Sequence, residues 1–427
     1  MNYEEALLYL ENLNSFGIKL GLERIKNLVQ LLGNPQDQYK TIHITGTNGK
    51  GSTTAMLAKI LMESGIKAGM YSSPHLISYT ERMKIGDTEI STTDFAETIT
   101  VVSKAVTKML EGGDESPTQF EVLTAAAFYY FAQQKVEYAV IEVGLGGLLD
   151  STNIIMPEVS VITNIEMDHA DRCGGSIESI AENKAGIIKD NIPLVVGIEN
   201  DTIEIVEKIA SRKKAPVYRL QKDFNSSFEK IVAEQQVLRF SNGAKEFYYN
   251  INLLGEHQIK NSALACQVAL LLSETNPAIN IDKISSGLSK AVWPGRFEII
   301  SNNPLVVIDG AHNLAGAKAL AENLKRYFPN KQRVLLLGIL KDKDVEGIIQ
   351  TLVLPDDLVV VTEPDSERAA SAEIVAEKVS AKFVTAISDS ELALKTALAL
   401  KQENSILCVA GSLYLIGKIR SLLKANS

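Results

Sequence analysis

Residues 45–54 read TGTNGKGSTT and lie between an apolar strand pattern and a helix pattern. No other stretch constrains the fold as much. Gly46, Gly49 and Gly51 let the backbone turn tightly and face its N–H groups toward an anion. Lys50 adds a point charge for phosphate oxygens. Ser52 or Thr53 can offer a hydroxyl to Mg²⁺, and the helix that follows presents its positive end. Strand, loop, lysine, hydroxyl and helix in this order predict a nucleoside triphosphate site. The spacing differs from G-x-x-x-x-G-K-[ST], because only Thr47 and Asn48 separate Gly46 from Gly49. A glycine turn with a solvated lysine is the simpler alternative.

At 427 residues the chain predicts two domains, placed at 1–294 and 295–427. The net charge of −9 argues against general binding to nucleic acid or a membrane surface. An anionic substrate then needs a local basic site. Cys173, Cys266 and Cys408 are scattered, with no disulfide or zinc spacing, which fits a reducing cytoplasm. The start, NYEEALLYL, reads as an acidic amphipathic helix rather than a signal peptide, and no apolar run is long enough to span a bilayer. The expectation is a cytoplasmic monomer acting on small molecules.

Helical periodicity covers 2–13 and 22–32, with breaks at Gly17 and Gly21. A buried strand at 40–45 enters the glycine loop, a helix follows at 55–64, and a strand at 66–71 precedes SSPHL. Residues 83–90 carry a Gly86-Asp87 hairpin signal. Helices are expected at 93–110 and 120–133. The stretches 138–143 and 159–165 are β-branched, as buried parallel strands are. This alternation predicts a doubly wound, mainly parallel α/β sheet. Residues 228–251 predict a small antiparallel appendix, 258–273 a helix, and 291–296 a linker. New strands at 305–308, 333–337, 358–361 and 406–409 predict a second, smaller Rossmann-like α/β domain.

Several side chains could carry chemistry. Glu142 ends the strand YAVIEV, and an apolar run has no place for a carboxylate unless it is solvated or bound to a cation. His169 follows a second strand, in VSVITNIEMDH. Oxygen ligands from Glu142 and Ser52, with the His169 imidazole, make a Mg²⁺ site in this reading. Strand-end capping is the alternative, and Asp168 could instead support His169. By residue type alone Lys184 reads as a solvated surface lysine. Arg296 could hold a phosphate bidentately or form a linker salt bridge. Asp309 could cap a helix. Ser412 could do the same after the last strand, and Tyr414 could be a packed aromatic. Any of the histidines, His75 and His312 included, could be a hydrogen-bonded structural imidazole.

The GTNGK core resembles the loop of the Mur ligase superfamily, and GTNGKGS resembles its folylpolyglutamate synthase and dihydrofolate synthase branch. The resemblance continues through SSPHL at 72–76, TQFE at 118–121, EVGLGGLLDSTN at 142–153 and DH at 168–169. It extends through NKAGIIK at 183–189, GEHQ at 255–258, WPGRFE at 293–298, DGAHN at 309–313 and GSLYL at 411–415, all in family order. The resemblance implies Glu142, His169 and Ser52 as metal ligands, with Ser73 near a second Mg²⁺. It implies carbamylation of Lys184, turning a cation into a carboxylate-like group. Asn261 and GEHQ match nucleotide contacts. Asp309 and His312 match residues through which the C-terminal domain closes on ATP. Ser412 and Tyr414 lie toward the amino-acid and folate region, and TQFE toward the pterin, where Phe120 offers a ring face. His75 and Asp150 fall in motifs assigned to the substrates, Asp150 also to catalysis.

The expected activity is ATP-dependent addition of L-glutamate to a tetrahydrofolate or its polyglutamate through an acyl phosphate, with dihydropteroate as a possible second acceptor. Lys50, Lys184, Asp150 and His312 are its expected catalytic residues. Two other readings stand: a binding protein that closes on nucleotide without chemistry, and a cell-wall Mur synthetase. Leu148 replaces the Arg of the family's GGRLD, which bears on acceptor choice. Leu314 replaces the proline of DGAHNP, and Cys173-Gly174-Gly175 is a further departure.

Overall fold

Five buried residues follow Lys40 in KTIHIT, and the run ends where Gly46 adopts φ +153°. Such a segment forms a strand covered on both faces. In the computed structural model, which describes residues 1–13, 21–167, 175–232 and 235–425, it sits inside the larger of two sheets built from parallel strands. The strands of that sheet are β1 (Lys40–Thr45), β2 (Ala68–Tyr71), β3 (Met83–Ile85), β4 (Thr88–Glu89), β5 (Tyr138–Glu142), β6 (Val159–Ile162), β7 (Leu194–Val196) and β8 (Val217–Arg219). Their spatial order is β4-β3-β2-β5-β1-β6-β7-β8. Strands β2 through β8 in that order are parallel; the β3–β4 hairpin adds an antiparallel edge, turning at Gly86 with φ +60°.

The order places the site. From β1 the chain crosses to β2 on one side and later to β6 on the other, leaving a crevice at the carboxyl ends of the central strands. Helices Tyr3–Leu13, Glu23–Leu31, Thr92–Glu111 and Gln119–Gln133 share one core with Tyr71, Ala139 and Ile141. Phe128 and Phe131 are fully buried there, each contributing about 1.5–3 kcal/mol over exposure. Gly69 is required under Phe131, since a Cβ would lie 2.8 Å from its ring. A second core joins β6 and β7 to helices Ile177–Ala185 and Ile203–Arg212. The expected appendix is a three-stranded antiparallel sheet, β9 (Asn225–Val232), β10 (Gln235–Ser241) and β11 (Glu246–Ile251).

The chain divides into two compact units, residues 1–252 with 258–292, and residues 253–257 with 293–427. The second unit has the order β12-β13-β17-β14-β15-β16, from β12 (Glu298–Asn302), β13 (Leu305–Ile308), β14 (Gln332–Leu337), β15 (Leu358–Val361), β16 (Phe383–Ala386) and β17 (Ser405–Ala410). All neighbours are parallel except β12 and β13.

Two expectations are corrected. The helix after the glycine loop starts at Lys50 rather than residue 55, because KGST already belongs to its first turn. The second domain opens with a hairpin rather than with the single strand at 305–308, since Glu298 already begins β12.

Candidate active site

The glycine loop leaves β1 and enters helix Lys50–Glu63 directly, so the first N–H groups of that helix have no partner within it. Gly49, in the left-handed region at φ +83°, is its N-cap. A Cβ on Gly46 would lie 1.8 Å from Thr163 Oγ1, and one on Gly49 2.4 Å from Asn261 Oδ1. Neither position accepts a side chain. Thr53 Oγ1 donates to Gly49 O at 3.0 Å, inside the first turn that also holds Gly51.

The segment after β6 holds the loop. Asn164 Oδ1 accepts the N–H groups of Thr47 and Asn48, and Asn48 Nδ2 donates to Glu166 Oε2 at 2.9 Å. Thr47 Oγ1 donates to Glu166 O at 3.1 Å. Lys50 Nζ donates to Gly46 O at 2.8 Å and Thr47 O at 3.1 Å, so its ammonium is folded over the loop. Sequence reasoning missed Asn164 and Glu166. Their signal was a polar TNIE run directly after a buried strand.

Ser52 is buried, and its hydroxyl accepts from Gln258 Nε2 at 3.1 Å. Gln258 Oε1 in turn accepts from Asn261 Nδ2 at 3.0 Å. Helix Glu256–Ser273 thus braces the loop through the motif expected to carry nucleotide contacts. Glu142 closes β5, beside Ile44 of β1, and is only 4% exposed. Ser73, just beyond β2, donates its N–H to Glu142 Oε2 at 3.4 Å. The structure therefore places Ser73 and Glu142 at the ends of the neighbouring strands β2 and β5, and Ser52 in the first turn of the helix that follows β1. A hydroxyl and a buried carboxylate are hard oxygen donors that fit Mg²⁺. Among the described residues no three His, Cys, Asp or Glu side chains gather around one point. Asp168, His169 and Cys173 lie outside the described residues.

Two distant motifs dock on each other beside this edge. Leu148 N–H donates to Asn183 O at 2.8 Å, and Asn153 Nδ2 donates to Leu148 O at 2.9 Å and Gly186 O at 3.1 Å. A Cβ on Gly186 would meet Leu148 Cα at 2.4 Å. The backbone of Leu148 is thus fixed while its side chain stays 48% exposed. Lys184 lies in the last turn of helix Ile177–Ala185 and is 6% exposed, not the solvated surface lysine its residue type suggests. Asp150 is buried and N-caps a short 3₁₀ turn. Its Oδ2 accepts from Leu145 N–H at 2.8 Å, and its Oδ1 accepts from the N–H and hydroxyl of Thr152 at 3.0 and 2.5 Å. Burial raises its pKa, and these donors oppose the rise.

His75 Nδ1 accepts from Arg82 Nε at 2.9 Å, with Tyr79 4.4 Å away ring to ring. Burial, then the Arg82 charge, pushes its pKa down to about 3, so it is a neutral acceptor. Phe120 packs near Tyr71, ring centroids 6.3 Å apart, and its edge closes on Gly144, whose Cβ would lie 2.4 Å from Cζ.

In the second unit, Asp309 Oδ2 accepts from Phe297 N–H and Oδ1 from Ala311 N–H, both at 2.7 Å. Burial raises its pKa and the Arg296 guanidinium opposes the rise. Arg296 lies against Gly310, where a Cβ would be 2.4 Å from Nη1. His312 Nδ1 bonds Gly310 O at 2.7 Å. Asn313, not Asp309, caps helix Leu314–Tyr327. Ser412 is buried and accepts from Tyr414 N–H at 3.1 Å; Tyr414 is 48% exposed, its hydroxyl 3.4 Å from Arg368 Nη2.

Known proteins resemble the chain along its whole length. The Mur ligase middle domain family matches residues 44–269, and the Mur ligase glutamate ligase domain family matches residues 295–413. A dihydrofolate synthase/folylpolyglutamate synthase of Bacillus subtilis is 35% identical over 99% of each chain. The Mycobacterium tuberculosis folylpolyglutamate synthase, solved with ADP and AMPPCP, superposes with a TM-score of 0.89 at 33% identity over 99% of each chain. The Escherichia coli FolC protein in complex with DHPP and ADP gives 0.89 at 31% identity, covering 100% of this chain and 98% of its own. The chain belongs to the Mur ligase family, within its folylpolyglutamate synthase/dihydrofolate synthase branch.

Proposed function

We propose that the protein is an ATP-dependent ligase that joins the amino group of L-glutamate to a carboxylate of a folate or folylpolyglutamate. The observation that carries this reading is the glycine loop set beside the buried Glu142 on adjoining parallel strands, in a chain matched end to end by folylpolyglutamate synthases. A carboxylate resists attack by an amine, because its charge and resonance make it a poor electrophile. Phosphoryl transfer from ATP converts it to an acyl phosphate. The glutamate amine then attacks the acyl carbon and phosphate leaves.

In this reading the loop N–H groups and Lys50 stabilise charge on the transferring phosphoryl group. Ser52, Ser73 and Glu142, with His169, would hold two Mg²⁺ ions. Mg²⁺ bound there neutralises phosphate charge. Lys184, carbamylated, adds a carboxylate-like group to the same edge; its burial supports a modified, neutralised or paired state over a bare cation. Asn261, Arg296 and Asp309 contact the nucleotide, and His312 acts in catalysis. His75, Phe120, Asp150, Ser412 and Tyr414 receive the two substrates. Tetrahydrofolates are the preferred acceptors and dihydropteroate a weaker one. The working form is a cytoplasmic monomer, in keeping with free, buried Cys266 and Cys408. No helix among the described residues is long and apolar enough to cross a membrane.

The test is ADP release with ATP, a tetrahydrofolate and glutamate, each omitted in turn, with product chain length read by mass. Release that requires all three supports ligation. Nucleotide binding without glutamate-dependent release would replace it with a nucleotide-gated binding protein. Turnover confined to cell-wall precursors would make the protein a cell-wall Mur synthetase.

A further inference from the structure

His43 stands in the middle of β1, flanked by Ile42 and Ile44, with no exposed surface. An imidazole in such a place needs a reason. Its Nε2 lies 2.8 Å from Thr152 Oγ1, and that hydroxyl donates to Asp150 Oδ1 at 2.5 Å. Its Nδ1 is buried with no hydrogen-bond partner. A threonine hydroxyl has one proton. With that proton on Asp150, the hydroxyl can only accept from the imidazole, so Nε2 carries the hydrogen and Nδ1 the lone pair. The ring is thereby a neutral, fixed donor, and burial, with the Lys189 charge, pushes its pKa down to about 3.

We propose that His43 and Thr152 are positioning residues for the acceptor site: the Nε2–H of His43 orients the Thr152 hydroxyl, which fixes the Asp150 carboxylate in the geometry that receives the folate. This rests on the reading of Asp150 as an acceptor-binding residue. Asp150 takes bonds from the Leu145 and Thr152 N–H groups as well, but both are backbone donors of its own loop. The path through Thr152 to His43, alongside the bond from Thr45 Oγ1 to Gly146 O, ties that loop to β1, the central strand that delivers the phosphate loop. Fixing a loop carboxylate from a central strand holds acceptor and nucleotide sites in one frame.

The experiment compares KM for tetrahydrofolate, ATP and glutamate in Thr152→Val, Thr152→Ser, His43→Leu, His43→Gln and Asp150→Asn. Valine has the shape of threonine and leaves the packing intact. Glutamine can place an amide N–H near the position of Nε2–H. Thr152→Val and His43→Leu should raise the acceptor KM on the order of tenfold, as loss of a buried bond to a charged group does, with the other two KM values near wild type. Thr152→Ser and His43→Gln should recover most of it. An unchanged acceptor KM in folded Thr152→Val, beside a raised one in Asp150→Asn, overturns the positioning role and leaves Asp150 standing. An unchanged acceptor KM in Asp150→Asn overturns the role of Asp150, and the relay with it. A parallel rise in all three KM values reduces the pair to a structural contact. Nitrogen-15 NMR of the wild-type imidazole does not depend on any variant folding: a proton on Nδ1 instead of Nε2 near pH 7 overturns the proposal.

Discussion

The backbone N–H of Asn48 donates to Asn164 Oδ1 at 2.9 Å, and the same oxygen takes the N–H of Thr47 at 3.1 Å. One amide oxygen thus orders two consecutive residues of the glycine loop from the neighbouring strand. Asn164→Ala should weaken ADP binding by about 1–3 kcal/mol, since it strands partly buried donors and loosens the loop. Asn164→Asp keeps the acceptor but adds charge beside the phosphates, and should bind more weakly still. Calorimetric titration with ADP ranks the three proteins; equal affinities would remove Asn164 from the loop's support.

Lys50 donates to backbone carbonyls of its own loop, at Gly46 and Thr47. Removing it takes little from the core. Lys50→Ala should lower kcat by a factor worth roughly 3 kcal/mol or more while Tm stays close to wild type. Glutamate-dependent ADP release alongside a thermal melt tests this. Near-normal turnover would end the case for phosphoryl transfer at this loop.

Lys184 is buried in the last turn of its helix. Lys184→Ala should abolish ligation, and added acetate or formate should restore part of it by standing in for the carbamate. A carbonyl signal from labelled bicarbonate in the wild-type NMR spectrum, absent in the variant, would identify the modification. Absence of that signal in active enzyme would refute carbamylation.

The pKa of His43 is depressed in the folded state, to about 3 from 6.5. The unfolded chain therefore binds a proton there that the folded chain refuses. The stability contributed is fully present above pH 6.5 and is lost as pH falls toward 3, at up to about 1.4 kcal/mol per pH unit. His43→Gln does not titrate, so its urea midpoint should fall less steeply than wild type between pH 6 and 4. Parallel acid limbs for the two proteins would contradict the buried neutral ring.

Leu148 exposes its side chain on a loop whose backbone is pinned by Asn183 and Asn153. The absent guanidinium should cost the acceptor site about 1–3 kcal/mol of polar contact, shifting preference without stopping catalysis. We expect faster ligation to tetrahydrofolate than to dihydropteroate, and Leu148→Arg should narrow the gap. Equal or greater efficiency of the wild type with dihydropteroate would show that Leu148 does not set acceptor range.

Local patterns were legible. The strands at 40–45, 305–308 and 358–361 lie where apolar runs flanked by polar residues put them. Strands β7, β8 and β16 were not: β7 and β8 have only three residues each, and β8 and β16 mix polar residues into the run. The start of the phosphate-loop helix was misplaced because Gly51, Ser52 and Thr53 read as loop residues. In the fold they belong to the first turn of the helix, which the bond from Thr53 N–H to Gly49 O closes. The approach of Ser73 to Glu142 joins two residues that the motifs had singled out. The bond from His43 to Thr152 was not legible: 109 residues separate them, and only the sheet brings them together. The one local sign was a histidine between two buried isoleucines.

Strand β17 supplies the centre of the second sheet, paired to β13 on one side and β14 on the other. It is also the last of the six strands to be synthesised. Until residues 405–410 leave the ribosome, β13 and β14 each present an open edge of unpaired N–H and C=O groups, and the apolar residues destined for this core have no partner layer. The second unit thus completes its sheet only late in translation. A premature stop between Leu337 and Ser405 would yield not a shortened enzyme but a chain with two sticky edges, prone to aggregation and to quality-control proteolysis.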